Sequence, residues 1–113
     1  MDIYFRTQKL AKLCNADKVM KKELGDKKAK KLKQRLFELK AADSLADISH
    51  LPPARLHELI LDKKGQYSVD LVHPVRLLFI LANEEIFRLE SGGIDRKRVT
   101  EIEIIAITDT HRG

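Results

Sequence analysis

Helical and extended patterns are segregated along this chain, and the tripeptide Leu51-Pro52-Pro53, which cannot continue a helix, divides them. Before it, residues 1–5 alternate as a strand does, and apolar residues then recur at helical spacing. After it come short runs rich in β-branched and aliphatic residues: 55–61, 66–72, 75–81 and 99–108. Short turns join antiparallel neighbours. The order predicts a two-layer α+β fold, with an amino-terminal strand and helices packed on a mainly antiparallel sheet of about five strands.

Length and composition predict one soluble domain. At 113 residues the chain can build one core, so residues 1–113 are expected to form a single domain. The longest apolar run, 77–82, is far shorter than the roughly 20 residues of a membrane helix. The first residues do not have the pattern of a secretion signal, and the single Cys14 has no internal disulfide partner. We therefore expect a cytoplasmic protein without a membrane partner, in which Cys14 is a packing residue.

Positive charge is concentrated in the first third of the chain. Residues 1–40 hold 13 Lys and Arg against 5 Asp and Glu, which is a net charge of +8. Residues 41–113 hold 9 Lys and Arg against 12 Asp and Glu, which is a net charge of −3. Such an asymmetry indicates a polyanionic partner, and nucleic acid is the leading candidate.

A lysine-rich helix is predicted over residues 27–42, with Asp26 as its N-cap, after a helical segment that Asp17 can cap and Gly25 ends. Its buried stripe is expected to consist of apolar residues at intervals of three and four: Ala29, Leu32, Leu36 and Leu39. Arg35 and the lysines are assigned to the other faces. The lysines considered for RNA binding are Lys27, Lys28, Lys30 and Lys31. Positive charges in the first turns of a helix oppose its dipole, so helix stability does not account for these lysines. They form either an RNA-facing surface or simply a solvated face.

The remaining candidates for chemistry are histidines. No phosphate-binding glycine loop, dinucleotide fingerprint or zinc spacing is present in the sequence, so we expect no cofactor and no metal. His50 and His73 are assigned to turns. His57 lies within a strand pattern, with Arg55 on the same face by the two-residue period. His111 follows Asp109 by two residues, which places an imidazole beside a carboxylate if the last strand stays extended.

This set of residue types suits RNA cleavage without a metal. Such cleavage needs a base for the 2′-OH proton, an acid for the 5′ leaving oxygen, and a cation for the charge on phosphorus. Histidine suits the first two roles and arginine the third. His57, His111, Arg55 and Arg76 offer these groups, although the sequence does not assign base and acid to particular histidines.

The chain resembles the HigB-type toxins of the RelE superfamily, which belong to type II toxin–antitoxin systems. The similarity covers most of the chain in order and spacing. It is carried by Lys27-Lys28-Ala29-Lys30-Lys31-Leu32, Leu51-Pro52, Arg55-Leu56-His57-Glu58-Leu59, Lys64-Gly65-Gln66-Tyr67-Ser68-Val69, Val75-Arg76-Leu77-Leu78-Phe79 and Asp109-Thr110-His111. The resemblance implies a RelE-like fold and a toxin that cleaves messenger RNA in the ribosomal decoding site. It also implies silencing by a HigA-like helix-turn-helix antitoxin.

Matched by position, the resemblance implies an active site of four residues: His57, Arg76, Asp109 and His111. Two positions depart from the family pattern. Thr110 stands where an aromatic residue is expected in the tail, and Ile60 replaces a lysine, with Lys63 or Lys64 as substitutes. The excursion at 83–98 is also longer than in the most compact members.

Two other functions remain open at this stage. The departures at Ile60 and Thr110 favour a non-catalytic module of the same fold that binds nucleic acid or an antitoxin. The basic helix is compatible with a DNA-binding regulator, but it lacks a helix-turn-helix partner at the needed spacing.

Overall fold

The structure is a computed structural model that describes residues 1–59 and 65–109. Its strands are β1 (Asp2–Phe5), β2 (His57–Glu58), β3 (Gln66–Asp70), β4 (Val75–Leu81) and β5 (Glu101–Asp109). Its helices are α1 (Gln8–Asn15), α2 (Asp17–Ala41) and α3 (Leu45–Ser49), and a 3-10 turn covers Arg96–Arg98. No helix in these two ranges has the length and apolar character required to cross a membrane.

The strands form one five-stranded sheet in the order β1-β5-β4-β3-β2. The last four strands in the chain form an antiparallel meander, as their short connections predict, while β1 runs parallel to β5 at the edge. The helices cover one face of this sheet. The predicted two-layer α+β fold with a mainly antiparallel sheet is confirmed.

The helical segments begin and end at residues with clear local causes. The Thr7 hydroxyl accepts a hydrogen bond of 3.1 Å from the amide of Leu10 and so caps α1. Gly25 interrupts α2 with φ 81 and ψ 166, a conformation open essentially to glycine alone. The expected stop at Gly25 is therefore confirmed, and the lysine-rich segment follows this break. Ala16, not Asp17, is the N-cap of α2.

The core lies between the helices and one face of the sheet. Antiparallel partners share a face, so the register places alternate residues of β3, β4 and β5 toward the helices. These buried strand residues are Tyr67, Val69, Leu77, Phe79, Ile102 and Ile104. The helices contribute Met20, Ala29, Leu32, Leu39, Leu45 and Ile48 to the same cluster. Cys14 is buried in it too, which agrees with its assignment as a packing residue.

Two expectations about side-chain placement are wrong. Arg35, expected on an exposed face of the helix, is 3% exposed, while Leu36 is only partly buried. Arg55 is expected in a strand over 55–61, but within the described part of that range β2 comprises only His57–Glu58. Arg55 itself has φ 48, a left-handed conformation that no regular strand contains.

The excursion at 83–98 is folded back onto the rest of the molecule. The Asn83 side chain accepts hydrogen bonds from the amides of Thr100 and Glu101, at the beginning of β5. Near the other end of the excursion, Arg96 donates a 2.9 Å hydrogen bond to the hydroxyl of Ser49 in α3. The excursion thus lies at the end of the sheet where β4 stops and β5 begins.

Candidate active site

The candidate site lies on the face of the sheet opposite the helical core. His57 in β2 is the register partner of Ser68 in β3, so their side chains share a face. Asp70 lies two residues beyond Ser68 on that face, and its register partner in β4 is Arg76. The strand period and two antiparallel pairings therefore bring an imidazole, a hydroxyl, a carboxylate and a guanidinium group together.

Asp70 contacts both arginines of this cluster. Its Oδ1 atom is 3.1 Å from Nε of Arg76, and its Oδ2 atom is 3.3 Å from Nε of Arg55. Asp70 Oδ1 makes no directed hydrogen bond among the described residues, so its contact with Arg76 is an ion pair whose N–H is not aimed at the oxygen. Arg76 also donates from Nη1 to the hydroxyl of Ser68 at 3.3 Å.

The two arginines differ in their exposure. The side chain of Arg76 is 18% exposed, whereas that of Arg55 is 64% exposed. Arg55 reaches Asp70 from the turn before β2, because its positive φ redirects the chain there. Arg55 therefore reaches the cluster from a turn, and its predicted place on the same strand face as His57 is wrong.

The backbone beneath this cluster is held by the buried Arg35 of α2. Its Nε donates to the carbonyl oxygen of Asp70, and its Nη2 donates to that of Pro53, each at 2.6 Å. Its Nη1 pairs with Glu38 at 3.1 Å. The amide of Asp70 in turn donates to the carbonyl of Ala54 at 2.7 Å. One arginine therefore connects the helical layer, the end of β3 and the turn that precedes Arg55.

The environment of His57 favours its neutral form. Burial lowers the pKa of His57 from its ordinary value of 6.5, and the positive charges of Arg76 and Arg55 lower it further. Asp70 opposes this effect and raises the pKa. Nε2 of His57 is buried and has no hydrogen-bond partner among the residues described. A neutral imidazole has one unprotonated ring nitrogen, which can accept a proton.

Asp70 and Arg35 are the residues that sequence reasoning missed. The signal for Asp70 was present, because the two-residue period puts it on the face of Ser68. The short connection around His73-Pro74 then places it opposite Arg76. Arg35 gave no such signal, because its partners include two carbonyl oxygens from distant segments.

Of the two predicted tail residues, Asp109 and His111, the structure describes only Asp109. Asp109 ends β5, where its backbone pairs with Val75, one residue before Arg76. His111 lies outside the described residues, as do Lys63 and Lys64. The structure therefore brings together His57, Arg76 and Arg55 from the predicted set.

The predicted lysine surface belongs to the helical layer. Lys27 and Lys30 are exposed, and Lys28 and Lys31 are partly buried. Ala29 and Leu32 of the same helix pack in the core beneath the sheet, on the face opposite to His57. The lysines precede Arg35 by four to eight residues, which is about 6 to 12 Å along the helix axis. They form a surface separate from the histidine cluster, which consists of His57, Ser68, Asp70, Arg55 and Arg76.

Comparison with models of known protein families gave no match for this chain. A search among curated proteins found no significant match either.

Proposed function

We propose that this chain is the toxin of a type II toxin–antitoxin system, an endoribonuclease that cleaves messenger RNA on the ribosome without a metal ion. One observation carries the proposal: His57 and Arg76 lie on the face of the sheet opposite the helical core, and Asp70 joins Arg76 to Arg55. This arrangement offers a proton acceptor beside two cations. Two of its residues, His57 and Arg76, are also among the four that the resemblance to HigB-type toxins implies.

The proposed reaction begins with His57 as general base. Neutral His57 takes the proton of the ribose 2′-OH, a role to which its lowered pKa is suited. The 2′ oxygen forms a bond to phosphorus as the bond from phosphorus to the 5′ oxygen breaks. An acid then protonates the leaving 5′ oxygen. With His57 as the base, His111 is the proposed acid for this step, with Asp109 orienting it. The upstream fragment is then left with a 2′,3′-cyclic phosphate.

Arg76 and Arg55 are proposed to stabilise the phosphate as negative charge builds up on it. A guanidinium group offers paired N–H donors with the geometry of a phosphate, and its charge persists at every relevant pH. Because Asp70 neutralises only one of the two positive charges, the group of three retains a net charge of +1. The cluster therefore attracts an anion and favours the more highly charged transition state.

The lysine surface of α2 is proposed to contact ribosomal RNA. Contacts between lysines and phosphates supply affinity without reading sequence, and they weaken as salt concentration rises. A surface on the helical layer can contact the ribosome while the histidine cluster holds the message. A HigA-like helix-turn-helix antitoxin is the proposed inhibitor, and the proposed cellular location is the cytoplasm.

The proposal is tested by incubating the purified protein with ribosomes programmed with a defined message. His57→Ala and Arg76→Ala are each expected to reduce the rate of cleavage by about 10²- to 10⁴-fold, the range for loss of an acid–base or charge-stabilising group. His111→Ala tests the residue that the resemblance adds. His50→Ala, at the end of α3, is the matched histidine control and is expected to retain the wild-type rate.

The same assay separates the competing functions. Ribosome binding without cleavage by the wild-type protein would favour the non-catalytic module. Retention on duplex DNA without ribosome binding would favour the transcriptional regulator. Wild-type cleavage rates in all three site variants would contradict the catalytic roles proposed here.

A further inference from the structure

We propose that Asp70 is the positioning residue of the arginine pair: its carboxylate holds Arg55 and Arg76 by their Nε atoms, so that their outer nitrogens face a bound RNA phosphate. This inference rests on the proposed function, because it names the residue that prepares the same site for its substrate. Asp70 itself is not expected to touch the RNA.

The contacts of the two guanidinium groups support separate roles for their Nε atoms, which contact Asp70, and their outer nitrogens, which are left for a phosphate. Each arginine uses Nε toward a different oxygen of the same carboxylate, at 3.1 and 3.3 Å. Arg76 uses Nη1 toward Ser68. Among the residues described, Nη2 of Arg76 and both terminal nitrogens of Arg55 donate no hydrogen bond. These nitrogens are the donors left for an anion.

Asp70 is itself held firmly enough to orient other groups. Its carbonyl oxygen accepts a hydrogen bond from the buried Arg35, and its amide donates to Ala54. Its side chain is 23% exposed, whereas that of Arg55 is 64% exposed. The long exposed side chain of Arg55 has many rotamers when it is free. Because the fixed carboxylate of Asp70 already restricts these rotamers, Arg55 loses less entropy when it binds a phosphate.

Asp70 could instead compete with the phosphate for the two arginines, and this alternative predicts a different effect on cleavage. If Asp70 orients the arginines, Asp70→Asn removes their common anchor and slows the chemical step. If Asp70 merely occupies the phosphate position, the same substitution frees both cations and speeds cleavage. Either way the site becomes more positive by one charge, so RNA binding is not expected to weaken. The two roles therefore separate in kcat.

The kinetic experiment compares Asp70→Asn with wild type on programmed ribosomes. We expect kcat to fall by about 10- to 100-fold, since a small misplacement of binding groups has effects of this size, with KM unchanged or lower. Asp70→Glu retains a carboxylate and is expected to recover most of the loss. Asp43→Asn, exposed and remote from the cluster, is the control. A kcat of Asp70→Asn at or above that of wild type would overturn the proposal, as would equal rates for Asp70→Asn and Asp70→Glu.

A second measurement keeps this inference separate from the proposed function. NMR of the free protein detects the Nε–H signals of Arg55 and Arg76 and the titration of the His57 ring. In Asp70→Asn we expect both Nε–H signals to shift or broaden and His57 to titrate at lower pH; Asp43→Asn should leave both unchanged. Unchanged signals in Asp70→Asn would overturn the positioning role. Absence of cleavage by the wild-type protein would overturn the proposed function alone.

Discussion

Replacement of the buried Arg35 by methionine is expected to destabilise the protein strongly. Methionine keeps most of the aliphatic stem but removes three polar contacts: those to the carbonyls of Asp70 and Pro53 and that to Glu38. A buried acceptor left without a partner costs about 1 to 3 kcal/mol, and the removal of one partner of a buried ion pair costs about 3 to 5 kcal/mol. Because the charge of Arg35 no longer has to be desolvated, we expect a net loss of about 3 to 5 kcal/mol.

This loss is large relative to the total stability. A chain of 113 residues has a free energy of unfolding of about 6 to 17 kcal/mol. At about 4 °C per kcal/mol, Tm should fall by about 12 to 20 °C. Urea and thermal unfolding followed by circular dichroism measure both quantities. Lys30→Met, on the exposed side of the same helix, is the control and should remain within about 0.5 kcal/mol of wild type. An Arg35→Met protein equally close to wild type would refute the reasoning.

Three further predictions concern the break in α2, the histidine and the lysines. Gly25→Ala should cost about 1 to 3 kcal/mol in urea unfolding, because φ 81 with ψ 166 strains any other residue; a neutral effect would contradict the observed break. His57 has a lowered pKa when folded, so its contribution to stability is present above pH 6.5 and is lost as pH falls through that lowered pKa. His57→Asn should therefore lose less stability than wild type between pH 7.5 and pH 5 in urea unfolding; parallel curves for the two proteins would contradict this. Substitution of glutamine at Lys27, Lys28, Lys30 and Lys31 should lower ribosome affinity and reduce the dependence of log K on log salt by about 0.7 to 0.9 for each phosphate that is no longer neutralised; an unchanged slope would assign these lysines to a solvated face.

The sheet was largely predictable because local patterns determine it. The boundaries of β4 follow from the run of apolar residues between the turn at His73-Pro74 and the polar residues after position 82. Short connections make β2 to β5 antiparallel neighbours. The parallel pairing of β1 with β5 has no local signal, because it joins segments about 100 residues apart.

The site was only partly predictable because tertiary contacts complete it. Arg76 is predicted from its residue type and from the resemblance to HigB-type toxins, and its partner Asp70 follows once the hairpin register is known. Arg35 is predicted on the wrong face because neighbouring Leu36 fits the helical stripe equally well, and hydrophobicity favours leucine. The burial of Arg35 depends on the carbonyls of Asp70 and Pro53, which only the folded chain brings to it.

The central claim is that His57 takes a proton from the 2′-OH of messenger RNA at the ribosome. The most direct test maps and chemically characterises the ends of message fragments produced by the wild-type and His57→Asn proteins on the same programmed ribosomes. We predict discrete fragments ending in a 2′,3′-cyclic phosphate for the wild type and a yield at least about 100-fold lower for His57→Asn. Equal yields from the two proteins, or wild-type fragments without the cyclic phosphate, would contradict the claim.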